Sequence, residues 1–161
     1  MFLTPAERTA LIDRYANGPA RLTAALATVP PEALRWRPGS RRWSAHEIVV
    51  HCADSESNAA LRIRYLQAEA APVIQGYDQE RWARELEYHD HPLDVALATV
   101  EAVRAHTVPL LRRLTEVDWR RTGRHTESGA YGAEEWLRTY AEHLEKHAGQ
   151  IERAVAAWRA R

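Results

Sequence analysis

Residues 133–158 read AEEWLRTYAEHLEKHAGQIERAVAAW. Leu137, Leu144, Ala148, Ile151 and Val155 recur at steps of three, four and seven, the period of a helix with one buried face and not that of a strand. The same segment carries His143-Leu144-Glu145-Lys146-His147. Four helical residues turn about 400°, so the two imidazoles project from one side, one turn apart. They belong to the row Trp136, Tyr140, His143, His147, Ile151 and Ala154, which adjoins the apolar stripe and faces the interior of a helical assembly or its edge. A zinc-peptidase helix needs Glu directly after the first His. Leu144 stands there, and Glu145 points away from the pair.

Three more segments upstream have the same character. The first opens at Thr4-Pro5-Ala6-Glu7, a capping box with proline at the first helical position. Its apolar positions Leu11, Tyr15, Leu22 and Leu26 lead to Pro30-Pro31. Gly18-Pro19 is expected to bend or split it. The second opens at Ser44 with Glu47 three residues on, buries Ile48, Cys52, Ser55, Ala59, Ile63 and Leu66, and ends before Pro72. The third begins near Pro92 and runs through Leu93, Leu97, Val100, Val103, Leu110 and Leu114, with a late kink expected at Pro109. No stretch reads as a strand.

Four such helices predict an all-α fold, a four-helix bundle forming a single domain over residues 1–161. The links 73–91 and 115–132 exceed the usual 2–8 residues of a bundle turn. They are crossover connections long enough for the second and third helices to run parallel, and residues 78–88 (DQERWARELEY) predict a short extra helix within the first.

The 161 residues are 45% hydrophobic and 27% charged, and 22 basic residues balance 22 acidic ones. A nucleic-acid partner normally demands a basic excess, so none is expected. Cys52 is the single cysteine, which excludes an intrachain disulfide and points to a reducing cytoplasm. The opening MFLTPAERTA reads as neither signal peptide nor anchor, and no apolar run approaches membrane-spanning length. The six tryptophans read as packing or interface residues, since no basic rows alternate with them.

A histidine pair alone is a weak signal, and the second helix strengthens it. At helical steps that helix presents Glu47, His51, Asp54, Asn58 and Arg62, a row that reads as the lining of a polar interior cavity once the pair on the last helix is considered. Three neutral imidazoles from His51, His143 and His147 would hold a divalent first-row metal with coordination positions to spare. Zinc, nickel, copper and iron all suit such ligands. Glu47 is explained by its capping box, with a catalytic role beside the metal as the alternative; Asp54 is equally a surface carboxylate or a group that orients a ligand. Cys52 reads as a small buried filler. His125, in the loop before the last helix, reads as solvated, with substrate contact as the alternative. His46, His89, His91 and His106 read as surface residues.

The pattern Trp43-Ser44-x-x-Glu47-x-x-x-His51-x-x-Asp54-Ser55-Glu56, followed by His143-x-x-x-His147-x-x-Gln150-Ile151, resembles the DinB/YfiT-like superfamily. Leu34-Arg35-Trp36-Arg37-Pro38 and the stretch 120–129 (RRTGRHTESG) extend the resemblance over the whole chain. The resemblance implies up-down-down-up helix order, metal ligation by His51, His143 and His147, zinc or nickel as the ion, and a homodimer. Some relatives transfer or isomerise with a low-molecular-weight thiol such as bacillithiol, mycothiol or glutathione; others are described as metal-dependent hydrolases. The leading expectation is a metal-dependent enzyme activating a low-molecular-weight thiol for transfer to an electrophile. Arg62, Arg104 and Arg124, with His125, would hold the small-molecule substrate. The alternatives are a hydrolase using hydroxide activated by the metal, with Glu47 or Asp54 as proton shuttle, and a non-catalytic metal-binding stress-response protein.

Overall fold

A computed structural model describes residues 2–161. Four long helices, α1 (Pro5–Leu26), α2 (Ala45–Ala68), α4 (Leu93–Arg113) and α6 (Ala133–Arg159), make up the body. Both capping boxes form: Thr4 Oγ1 accepts from the Glu7 amide while the Glu7 carboxylate accepts from the Thr4 amide, and Ser44 and Glu47 do the same for α2. Asp78 caps the short helix α3 (Gln79–Glu85), as the sequence predicted within 78–88. A further one-turn helix, α5 (Glu116–Trp119), carries its own capping box from Thr115 and Asp118.

The helix directions follow from which residues meet. Arg14 bonds Glu145 and Arg21 bonds Glu152, so α1 and α6 run parallel. Along α2, Glu56 meets His143 and Ala59 meets Trp136, so α2 opposes α6. Glu56 also meets Arg104, and Arg64 meets Thr107, so α2 and α4 run parallel. The order is up-down-down-up. Glu145 is turned away from the histidine pair, toward Arg14 of α1.

Gly18-Pro19 neither splits nor ends α1, which continues to Leu26. Proline has no amide hydrogen to offer the carbonyl four residues back, here that of Tyr15, and the Arg104 guanidinium supplies the missing donor. Gly18 makes room for it, because a Cβ there would collide with the Arg104 guanidinium and crowd Leu144. The dipeptide is a docking place for a buried arginine. Pro109 is likewise carried within α4, which runs on to Arg113.

The two long links contain strands that the sequence did not announce. β1 (Val73–Ile74) pairs parallel with β2 (Thr122–His125), which pairs antiparallel with β3 (Gly129–Gly132). Two to four residues are too few to show a period of two, and the β1–β2 partners lie 51 positions apart, Val73 opposite Arg124. The sheet ties one link to the other across one end of the bundle. Gly123 must approach Pro72 so closely that a Cβ would strike the Pro72 carbonyl.

The core has two connected halves. One gathers Tyr15, Ile63, Leu66, Trp136 and Leu137 near the sheet; the other gathers Leu22, Val49, Cys52, Leu144 and Ile151. Trp136 donates its indole N–H to the Ala59 carbonyl at 2.8 Å, so its burial leaves no polar atom unpaid. Cys52 is fully buried, as expected of a filler, and burial pushes its thiol well above the ordinary value. Among the described residues no helix is long and apolar enough to cross a membrane.

Candidate metal centre

His51 of α2 and His143 and His147 of α6 converge. One ring nitrogen from each lies within 4.8 Å of the others. The neighbours of His143 and His147 determine which nitrogens face the centre. Nδ1 of His143 lies 2.9 Å from Glu56 Oε1, and since a carboxylate only accepts, the ring must donate there. Nδ1 of His147 lies 2.7 Å from the carboxamide oxygen of Gln150 and donates likewise. Both rings therefore turn an Nε2 lone pair inward, and these two atoms are 3.1 Å apart.

Two acceptors at that distance with no hydrogen between them repel, unless a cation sits between them. Metal–imidazole bonds of about 2.0–2.1 Å at ordinary coordination angles would put ligand nitrogens about 2.9–3.4 Å apart. His51 is 1% exposed, and its Nδ1 is buried without a hydrogen-bond partner. Such an orphan is costly. The His143–His147 pair has that ligand spacing, and His51, with a nitrogen within 4.8 Å of both, completes a set that could hold a divalent cation.

Electrostatics agree with ligand chemistry. Burial, followed by the charges His147 and His143 would carry, pushes His51 down to about 2. Burial and then His143 push His147 down to about 4. Both imidazoles are neutral at physiological pH, the state that binds metal.

Behind His143 stands a buried network. Glu56 is fully enclosed and accepts from Arg104 Nε at 2.9 Å and Nη2 at 2.7 Å. Arg104 also donates to the carbonyls of Tyr15 and Tyr140, and its guanidinium lies 4.0 Å from the Tyr15 ring centroid. Although Glu56 is buried, its carboxyl is held below the ordinary value by the His143 hydrogen bond and the Arg104 charge. It stays a carboxylate and orients the imidazole, the arrangement that raises ligand basicity at metal centres. Glu56 and Gln150 thus support the site. The sequence quoted both only within the family pattern, because neither reveals its partner by spacing alone.

The other expected site residues divide. Arg104 is 1% exposed and saturated by Glu56 and two carbonyls, so it cannot hold a substrate. Glu47 is 2% exposed, with its carboxylate shared between the Ser44 cap and Arg37. Asp54 accepts a 2.5 Å hydrogen bond from the Tyr88 hydroxyl. Arg62 donates to the Tyr140 hydroxyl at 3.2 Å and to the Gln75 carbonyl at 2.8 Å, near the centre because Tyr140 packs on His143. Arg124 is exposed on β2. His125 is buried, not solvated: its Nδ1 accepts the amides of Glu127 and Ser128, and its ring packs on Tyr131. It shapes the β2–β3 turn. His46, expected at the surface, is 2% exposed and lies 2.7 Å from the His91 carbonyl.

The link over the centre is the first one, 73–91. It supplies Tyr77, whose ring lies 4.3 Å from that of Trp82 at a 38° tilt and whose hydroxyl is buried without a hydrogen-bond partner within 3.5 Å. Burial pushes that hydroxyl above the usual tyrosine range, opposed in part by the Ser55 hydroxyl beside it. Ser55 Oγ is in turn 3.2 Å from His143 Nε2. Across the site, the Trp43 ring lies 4.7 Å from His51. Nothing in the local pattern around Tyr77 marks it, because folding of the link brings it there.

The chain matches the DinB superfamily over residues 14–151. A protein of Oceanobacillus iheyensis named "putative metal-dependent hydrolase" is 35% identical over 109 residues, 68% of this chain and 63% of that relative, so the match spans less than two thirds of the relative's length. One of the same name from Halalkalibacterium halodurans is 26% identical over 137 residues, 85% of this chain and 80% of the relative. The solved structure of YfiT from Bacillus subtilis, described as "a probable metal-dependent hydrolase with an unusual four-helix bundle topology", superposes with a TM-score of 0.90 over 98% of this chain and 91% of that one, at 22% identity. With its helix order, crossover links and histidine triad in place, this chain belongs to the DinB superfamily.

Proposed function

We propose that the protein is a metal-dependent enzyme that binds a low-molecular-weight thiol at the three-histidine centre and transfers its sulfur to an electrophile. The observation that carries this reading is the convergence of three imidazoles, at least two of them held neutral at physiological pH, with no fourth His, Cys, Asp or Glu in the group among the described residues. A divalent cation bound there would supply Lewis acidity, lowering the pKa of a thiol at the open position.

The chain's own residues do the rest. Glu56 and Gln150 hold the tautomers of His143 and His147. Trp43 and the Tyr77–Trp82 pair narrow access for water. Tyr77 keeps its proton at neutral pH, and its hydroxyl, beside that of Ser55, is placed to donate to charge developing on the electrophile. The thiol proton passes to solvent, the sulfur bonds to the electrophilic carbon, and the leaving group departs with the bonding pair.

Hydrolysis is the second reading, supported by the names of the relatives. It asks for a carboxylate able to move protons, and Glu47 and Asp54 are already engaged. The test is turnover of 1-chloro-2,4-dinitrobenzene with cysteine, glutathione or another biological thiol, beside p-nitrophenyl acetate without thiol, each with and without zinc or nickel. Thiol-dependent, metal-dependent turnover that His51→Ala abolishes and Tyr77→Phe lowers about 100- to 1000-fold is expected. Ester hydrolysis without thiol would replace this reading with the second, and tight metal retention with no turnover would leave a metal-binding protein.

A further inference from the structure

A concave groove of about 540 Å³ opens where His147 and Gln150 meet the surface. Its size suits a small molecule. Arg41 and Arg42 enter it from the loop before α2, Arg153 from α6, and Glu80 from α3. Trp43 forms a wall between the groove and His51, donating its indole N–H to Glu80 at 3.3 Å.

Several arginines elsewhere on the molecule are neutralised. Arg14, Arg21, Arg35, Arg37, Arg84 and Arg112 all pair with carboxylates. The side chains of Arg41, Arg42 and Arg153 have no hydrogen-bond or ion-pair partner among the described residues, and they share the groove with a single carboxylate. Unneutralised guanidinium groups along one concave wall focus a positive potential, and their planar donors match carboxylate and phosphate oxygens. On a chain with balanced formal charge, that concentration beside a metal ligand calls for an anion.

From the juxtaposition of these three arginines with His147, we propose that the groove binds the anionic end of the substrate, a carboxylate- or phosphate-bearing small molecule whose other end reaches the three-histidine centre. This rests on the reading that the reaction occurs at that centre, but the groove can be tested without metal. The arginine set expected from the sequence changes accordingly: Arg41, Arg42 and Arg153 take the role assigned to Arg62, Arg104 and Arg124.

The test is calorimetric titration of the metal-free protein with tricarballylate and, separately, with inorganic phosphate. One of these anions is expected to bind and to weaken at least tenfold in Arg41→Glu and in Arg153→Glu. These side chains are exposed, so the fold should hold. Arg113→Glu, at the far end of α4, should change affinity less than twofold. The preferred anion tells polycarboxylate from phosphate. No binding of either anion, or equal loss in all three variants, would overturn the proposal. A second arm titrates the cobalt-loaded protein with mercaptosuccinate and with uncharged thioglycerol, read by the cobalt absorption bands. Preference for mercaptosuccinate that vanishes in Arg41→Glu is expected, and equal binding of both thiols would also overturn it. Absent cobalt bands with intact anion binding would instead sink the metal reading and leave the groove standing.

Discussion

Two buried arginine–carboxylate networks brace this bundle, and they end differently. At the sheet end, Arg8 bonds Glu134 and Glu116 and lies over Trp119, while Glu134 accepts the Leu3 amide at 2.9 Å. That network closes on itself. In the middle, Arg104 bonds Glu56, and Glu56 passes the interaction to His143, whose Nε2 faces Nε2 of His147. Both networks pin helices together, but only the second ends at the candidate metal centre.

Breaking each network should separate them. Arg104→Ala strands a buried carboxylate and two carbonyls, so a loss of about 3–5 kcal/mol is expected in urea unfolding. Arg8→Ala should cost about 1–2 kcal/mol, because Glu116 is 62% exposed and readily hydrated. Equal losses would erase the distinction.

Acid should act through the second network's end. His51 and His147 have folded values of about 2 and 4 against 6.5 when unfolded. Between those values the unfolded chain binds more protons, so stability falls as pH drops below about 6.5. Buried His46, also lowered chiefly by burial, adds in the same direction. For the metal-free protein, going from pH 7 to pH 5.5 should cost about 2–3 kcal/mol from the two ligand histidines, and His51→Ala should reduce that slope. A flat profile over this range would contradict neutral, buried imidazoles.

Smaller effects compare the two supports. Glu56→Gln should weaken metal binding 10- to 100-fold, as loss of an orienting carboxylate generally does, read by competition with a chromogenic chelator. Gln150→Ala, at the solvent edge, should cost less than about tenfold. The reverse order would move the organising role from the buried side to the exposed one.

Much of this was legible from one dimension. Helix starts follow from Thr4/Glu7 and Ser44/Glu47, because a cap acts within three residues. The pair His143/His147 follows from the turn angle, and His51 from its place beside a buried stripe. Arg104 was misread as a ligand for substrate because its partners, Glu56, Tyr15 and Tyr140, lie 36 to 89 positions away. Of the bend or split expected at Gly18-Pro19, the split does not form, because the donor that replaces the missing amide hydrogen comes from another helix. His125 and His46 were placed in solvent because a lone histidine carries no periodic signal.

The amino-acid order alone determined the four long helices, the caps of the first two and the three histidines that could hold a metal, since each depends on contacts or periodicities within a few turns of one helix. Tertiary structure decided the rest: the small sheet, the Arg104–Glu56–His143 relay, Tyr77 over the centre, and the arginine groove beside His147. Those depend on segments that meet only after the crossover links have run the length of the bundle, and long-range proximity leaves no mark on local spacing.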